Sequence, residues 1–448
     1  MSHKLIAVFG VLIALSATHA AQVKIDPEVE KMIREVSARR IEADIRKLVS
    51  FGTRNTLSVQ DDPARGIGAA RDWIFAEFQK ISADCGNCLT VEKQSFVQPK
   101  AARIPEPTTL TNVIATLKGA TDPARTYVVS GHYDSMCSSP TNATCDAPGA
   151  NDDASGTAAV IELARVMSKY KFDATIVFMA VPGEEQGLLG AAYYAEQAKQ
   201  ANVNIEAMFT NDIVGGVTTL KNSPNRNRVR VFSEGVPSNE TEQQANTRRS
   251  VGGENDSASR QLARYVKEHS DRYMKNFSVW MIYRRDRFGR GGDHIPFLER
   301  GFPAVRITEV DEDYAHQHQN VRTENGVFYG DTPEFVDFEY TANVTRVNLI
   351  SLASMGRAPA KPKNVGIVTG RLTNDTDLKW DANTESDLAG YEVVWRETPS
   401  AEWTNSQAVG NVTSFTAKNR SKDNYFFGVR AVDKAGNKSP VTYPRPVR

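Results

Sequence analysis

Charge of one sign is what this sequence lacks. Its 54 acidic and 54 basic residues cancel, so the overall balance draws the chain neither to nucleic acid nor to an anionic membrane. Long apolar runs are also missing. Beyond the extreme N-terminus no segment reaches the about 20 apolar residues that a bilayer-spanning helix needs. Cysteine is sparse, at four residues, and the pair Cys85 and Cys88 has no second CxxC to complete a zinc ribbon. Cys137 and Cys145 would close a short loop, and a disulfide is the expected state of both local pairs.

What is present describes a globular protein with a substantial core, since 40% of the residues are apolar. A chain of 448 residues suggests two or three domains, and one large catalytic domain with a small module fits. At the start, Lys4 precedes the apolar run Leu5 to Leu15, and small residues follow through Ala20 and Ala21. That pattern reads as a secretory signal peptide over residues 1–20, and it places the mature protein outside the cytoplasm, periplasmic or extracellular. No membrane span remains after its removal.

Hydrophobic periodicity organises the rest. Residues 26–49 carry apolar positions at helical intervals and read as one or two helices, with another over about 67–81. Thr111–Leu117 and Thr126–Ser130 read as strands, and the second delivers His132 at its end. Ser155 stands where a helix N-cap would stand, before Ala159, Val160, Leu163 and Val166. The continuous apolar run Ala174–Val181 predicts a strand buried on both faces. Strand and helix alternate on to Met208–Thr210 and Ala304–Ile307. This order predicts an α/β domain, a three-layer α/β/α sandwich with a mostly parallel mixed sheet, over residues 22–357. Residues 221–256 are polar throughout and read as a long insertion or loop. Tyr340–Met355 is the last helix of this unit, and residues 358–363 have linker composition. From residue 364 short strands with Asp, Asn and Gly turns predict an all-β sandwich. Trp380, Gly390-Tyr391 and the Tyr425 run resemble a fibronectin type III domain.

Chemistry concentrates at strand ends, where open α/β sheets bind ligands. The motifs are His132-Tyr133-Asp134, Gly149-Ala150-Asn151-Asp152-Asp153-Ala154-Ser155-Gly156, Pro182-Gly183-Glu184-Glu185, Asn211-Asp212 and Tyr314-Ala315-His316-Gln317-His318. Imidazole with several carboxylates is the ligand chemistry of zinc in hydrolytic sites. A pair of zinc ions about 3.5 to 4 Å apart needs one shared carboxylate and further ligands on each. His132 and Asp212 would serve one ion, Glu185 and a late histidine the other, with Asp152 between them. Any one of these residues alone would read as a helix cap or a solvated turn; their joint order is what argues for a metal site.

In that order the motifs, with Gly291-Gly292-Asp293-His294, resemble the M28 family of zinc aminopeptidases in its two-zinc bacterial secreted branch, over about residues 51–355. The resemblance implies two zinc ions, His132 and Asp212 on one, Asp152 as the bridge, and Glu185 with a late histidine on the other. It implies Asp134 as the residue orienting His132 and Glu184 as the general base, taking the proton of a water between the metals. The activity implied is removal of N-terminal residues from peptides or proteins, and the chain is expected to be a monomer. Family members commonly place an acidic residue four positions after the ligand histidine. Here Asn320 follows His316 and Arg322 follows His318, and His318 is the preferred ligand with His316 as the alternative. Asp293-His294 supports the pocket without ligating, and equally reads as a helix start with a capping Asp. Tyr283, Arg287 and Arg290 are candidates for substrate contact or ordinary surface groups, and His269 reads as solvated surface.

Three other functions compete. A glutaminyl-cyclase-like transferase would hold a single zinc. A carboxypeptidase for acidic dipeptides would need a basic pocket, for which Arg287 or Arg290 is available. A metal-free receptor-like protein would have lost ligands or the base, yet all are present.

Overall fold

The computed structural model describes residues 25–216 and 222–448. The expected signal peptide, and Lys221 at the start of the expected insertion, lie outside them. Three helices open the described chain: α1 (Pro27–Glu35), α2 (Ala38–Val49) and α3 (Gly66–Asp84). Asp26 and Ser37 accept backbone N–H groups of the first two, supplying the caps that orphan helix donors need. The next elements are β1 (Leu89–Gln98), β2 (Thr108–Leu117), β3 (Asp122–His132), α4 (Ala154–Met167), β4 (Ala174–Val181), α5 (Leu189–Gln200) and β5 (Asn204–Asn211). They are followed by β6 (Arg228–Ser233), α6 (Glu242–Val251), α7 (Ala258–Tyr273), β7 (Ser278–Ile282), α8 (His294–Glu299) and β8 (Ala304–Glu309). A small hairpin, β9 (Arg322–Glu324) and β10 (Val327–Tyr329), precedes the long α9 (Phe338–Arg357).

Eight of these strands form one sheet in the order β1-β2-β4-β3-β5-β8-β6-β7. The four central strands β4, β3, β5 and β8 run parallel, while β2 and β6 pair with them antiparallel. Alternation along the strands divides the core in two. Tyr127 and Val129 of β3 face the helices α1 to α4, α7 and α9, whereas Val128 faces α5 and α8. Every residue of β4 is buried, as its unbroken apolar run requires. The three-layer expectation therefore holds, with a sheet whose outer strands are more antiparallel than the centre.

Two local expectations are corrected. Ser155 does not cap α4. Asp153 does, its Oδ1 accepting from the Gly156 N–H at 2.8 Å, and Ser155 lies within the first turn with its hydroxyl donating to the Asn151 carbonyl at 2.6 Å. The polar stretch 221–256 is not one long loop, because β6 and α6 lie within it. In β6 Val229 and Val231 are buried between the half-buried Arg228 and Arg230, a short period-2 pattern easily hidden by flanking Asn and Ser.

Beyond α9 the chain forms β11 (Gly366–Val368), β12 (Thr376–Lys379), β13 (Leu388–Glu397), β14 (Asn405–Gly410), β15 (Ser414–Ala417), β16 (Tyr425–Asp433) and β17 (Arg445–Val447). A four-stranded sheet, β15-β12-β11-β17, and a three-stranded sheet, β14-β13-β16, enclose a core of Leu378, Trp380, Tyr391, Val393, Phe427 and Val429. The 358–363 segment is packed: Ala358, Pro359 and Pro362 are buried, and the Ala360 N–H donates to Glu385 at 2.7 Å.

Candidate metal centre and cleft

The parallel centre of the sheet delivers its carboxyl ends to one place. His132 ends β3, Glu184 and Glu185 follow β4, Asp212 follows β5, and Asp152 precedes α4. These side chains converge into two triads, His132 with Asp152 and Asp212, and Asp152 with Glu185 and His318. Within each triad, donor atoms of all three residues lie within 4.8 Å of one another, and Asp152 belongs to both. The His132 Nε2 is 3.1 Å from Asp152 and 3.8 Å from Asp212. The His318 Nε2 is 2.8 Å from Asp152 and 3.0 Å from Glu185.

Short distances alone would make these ion pairs. Yet His132 Nε2, His318 Nε2 and Glu185 Oε1 are buried without a hydrogen bond. Buried ligand atoms that crowd together without a hydrogen bond between them suit a cation placed among them. The electrostatics agree. Burial, then Asp212, Glu185 and Asp293, push the Glu184 carboxyl well above the usual range. Such crowding of carboxylates in a buried cleft is relieved by bound positive charge.

His316 takes no part in either triad. Its Nδ1 is 3.1 Å from the Gly330 carbonyl and its ring stacks on Phe335 with centroids 3.5 Å apart, so it is a packed aromatic. His318 has φ of 54°, a left-handed backbone sparse for non-glycine residues, which turns its ring into the cleft. Asp134 lies beneath His132. Its Oδ1 is 3.3 Å from His132 Nδ1, and its carboxylate accepts the Glu184 and Glu185 N–H groups and the Thr56 hydroxyl. One buried carboxylate thus ties the histidine strand to the glutamate turn. The Glu184 carboxylate lines the open cleft and makes no hydrogen bond among the described residues.

Several residues that hold the site were not singled out in the sequence. Arg306, an arginine in an apolar strand, contacts Asp212 Oδ2 at 2.8 Å. Burial alone would raise the Asp212 carboxyl, but Arg306 and His132 outweigh it and bring it down to about 2. Asp331 accepts the N–H groups of Asn151 at 2.8 Å and Asp152 at 2.7 Å, across nearly 180 residues. Glu309 accepts from the Asn151 side chain, and Gln317 donates to Asp152 Oδ2 at 2.9 Å. Arg54, buried, donates to the carbonyls of Pro148 and Gly149 and so fixes the approach to Asp152. Only the lone buried-strand arginine offered a sequence signal; the Asp331 contact is purely tertiary.

The remaining candidates divide. Arg287 and Arg290 line the cleft, and both are engaged by Glu312, at 3.2 and 2.7 Å. Tyr283 does not line it: its hydroxyl donates to the Ala401 carbonyl in the C-terminal unit, and Arg260 covers its ring at 3.7 Å. Asp293 precedes α8 without capping it, and both its oxygens are buried and unpartnered. His269 is not solvated. It is buried on α7, stacked on Tyr265, because the C-terminal unit covers that face of the helix. Both cysteine pairs, Cys85–Cys88 and Cys137–Cys145, are disulfides.

The profile of peptidase family M28 matches residues 112–325, which span every residue of both triads. The chain is 50% identical over 421 residues to a probable zinc metalloprotease of Leptosphaeria maculans, covering 94% of this chain and 97% of that one. It is 47% identical over 427 residues to a probable zinc metalloprotease of Pyricularia oryzae, covering 94% and 85%. Both relatives are fungal. Among solved structures, LapB from Legionella pneumophila matches with a TM-score of 0.53 at 18% identity, covering 75% of this chain and 76% of that one. An aminopeptidase from Aneurinibacillus sp. strain AM-1 matches with a TM-score of 0.51 at 16% identity, covering 73% and 96%. At such identities the bacterial structures carry the fold alone, not the branch of the family.

Proposed function

Because the chain belongs to peptidase family M28 and is a zinc-dependent metallopeptidase, we propose that it is an exported aminopeptidase that holds two zinc ions and trims N-terminal residues from peptides. The observation that carries this reading is the pair of donor triads sharing Asp152. His132 and Asp212 would hold one ion, Glu185 and His318 the other, and Asp152 both. When bound, zinc supplies a Lewis acid that polarises the scissile carbonyl and acidifies a nearby water.

The chain's own residues do the rest. Glu184, free of hydrogen bonds on the cleft wall, takes the proton from the attacking water and returns it to the leaving amine. Its neighbour Glu185, in the same turn, sets its carboxylate 3.0 Å from His318 Nε2 and can ligate while Glu184 does not. Asp134 holds the His132 ring and the backbone of both glutamates in register, a task on which ligand orientation depends. Arg306 keeps Asp212 ionised and aimed.

Export is supported by the N-terminal segment 1–20 and by two disulfides, which persist outside the cytoplasm. No helix among the described residues is long and apolar enough to cross a membrane. Residues 364–448 are proposed to be a fibronectin type III-like module and residues 22–357 the peptidase domain.

A panel of aminoacyl-nitroanilides and their N-acetylated counterparts tests the activity, before chelation, after it, and after zinc is restored. Cleavage restricted to free N-termini, lost on chelation and regained with zinc, is expected. Equal cleavage of acetylated substrates would sink the aminopeptidase assignment.

A further inference from the structure

Arg103 occupies an unusual place in the cleft. It sits in the 99–107 connection between β1 and β2, where Pro99, Pro105 and Pro107 restrict the backbone. Ala101 and Ile104 exchange backbone hydrogen bonds of 2.8 and 3.1 Å, closing a tight turn with Arg103 inside it, and the fully buried Ile104 pins that turn to the protein. The side chain lines the cleft, where its Nη1 donates to the backbone carbonyl of Glu185 at 2.7 Å.

Charge accounting separates Arg103 from its neighbours. The cleft, about 950 Å³ including its open mouth, is lined by three arginines. Arg287 and Arg290 are committed to Glu312, which Arg230 also contacts at 2.8 Å. Arg103 pairs with no carboxylate among the described residues. The acidic residue of its own loop, Glu106, lies 3.8 Å from Lys100. A guanidinium has five N–H donors in a planar fork that matches a carboxylate, and only one of Arg103's is shown in use.

We propose that Arg103 is a specificity-determining residue that binds a carboxylate of the peptide substrate, so that the cleft prefers peptides bearing such a group close to the scissile bond. This rests on the aminopeptidase reading and narrows its substrate class. One hydrogen bond to the Glu185 carbonyl places the exposed guanidinium at the cleft before substrate arrives, which limits the side-chain freedom lost on binding. Arg290, a third exposed and held by one bond to Glu312, adds positive potential on the same cleft. The carboxylate has three possible sources: the first side chain, the second side chain, or the C-terminus of a short peptide.

Three matched pairs distinguish them on the zinc-loaded full chain: Asp-Gly-amide against Asn-Gly-amide, Leu-Asp-amide against Leu-Asn-amide, and Leu-Gly against Leu-Gly-amide. The expected result is about a tenfold higher kcat/KM for the carboxylate member of at least one pair, carried mainly by KM. That ratio should fall below about twofold in Arg103→Gln and be partly kept in Arg103→Lys. Ratios within twofold for all pairs in the unaltered protein, or a preference that survives Arg103→Gln, would overturn the assignment. Hydrolysis of none of the six would instead overturn the aminopeptidase reading. Titration calorimetry of the same pairs would then report the Arg103 ratio as affinities, judged by the same limits.

Discussion

The metal cleft and the seam between α7 and the C-terminal unit are both buried and charged, yet they are built on opposite rules. In the seam carboxylates and cations close on one another. Asp256 lies between Arg264, at 3.0 Å, and Arg396, at 2.7 Å, while Arg430 contacts Glu268 and Glu392, with Lys438 on Glu392 as well. In the cleft the carboxylates crowd together, and the histidine Nε2 atoms beside them are buried without a hydrogen bond. Internally closed charge is structural, whereas charge left open in a cavity is arranged for something that arrives. The histidines repeat the contrast: His269 is stacked and neutral in the seam, and His132 and His318 stand among carboxylates.

Glu184→Gln should break the cleft most sharply. Loss of the base is expected to lower kcat about a hundredfold to ten-thousandfold while zinc content stays the same, read by steady-state kinetics beside metal analysis. Retained activity would remove Glu184 from its role. The corresponding lesion in the seam is Asp256→Ala. It leaves Arg264 and Arg396 buried without their carboxylate, and an unfolding free energy lower by about 3 to 5 kcal/mol is expected in denaturant titration.

The histidines sharpen the contrast further. His318→Ala should lose zinc from the Glu185 side and His316→Ala should keep both ions, since His316 is stacked on Phe335. Full loss only in His316→Ala would reverse the assignment. In the seam, burial and then Arg272 hold His269 down to about 3, against an ordinary 6.5. The folded chain refuses a proton that the unfolded chain accepts, so this residue's contribution to stability is complete above 6.5 and is lost as pH falls from there toward 3. His269→Phe should flatten thermal stability across that window relative to the unaltered protein. The smallest effect is expected for Tyr283→Phe, which removes one bond to Ala401 and should leave KM for small peptides unchanged. A raised KM would return Tyr283 to the substrate pocket.

The same contrast explains what the sequence made legible. Motifs that end parallel strands could be read, because strand period and ligand chemistry are local: His132, Glu184, Glu185 and Asp212 all stand where β3, β4 and β5 end. The α/β order and the later β-rich unit followed from the same periodicities. Ser155 was misplaced as a cap because Asp153 lies two residues earlier with an equally suitable side chain. His269 is buried rather than solvated because what covers it comes from the C-terminal unit, Lys438 among it, over a hundred residues away, whereas Tyr283 stays an exposed surface group, one of the two readings its sequence left open. Asp331, holding Asp152 by its backbone, left no trace in local pattern at all.

The most direct test of the two-ion account is zinc counted per folded chain by elemental analysis, in the unaltered protein and in Asp152→Ala. Two ions in the first are predicted, with both sites weakened together in the second because Asp152 belongs to both triads. One ion per chain in the unaltered protein, or an Asp152→Ala variant that keeps two, would contradict it.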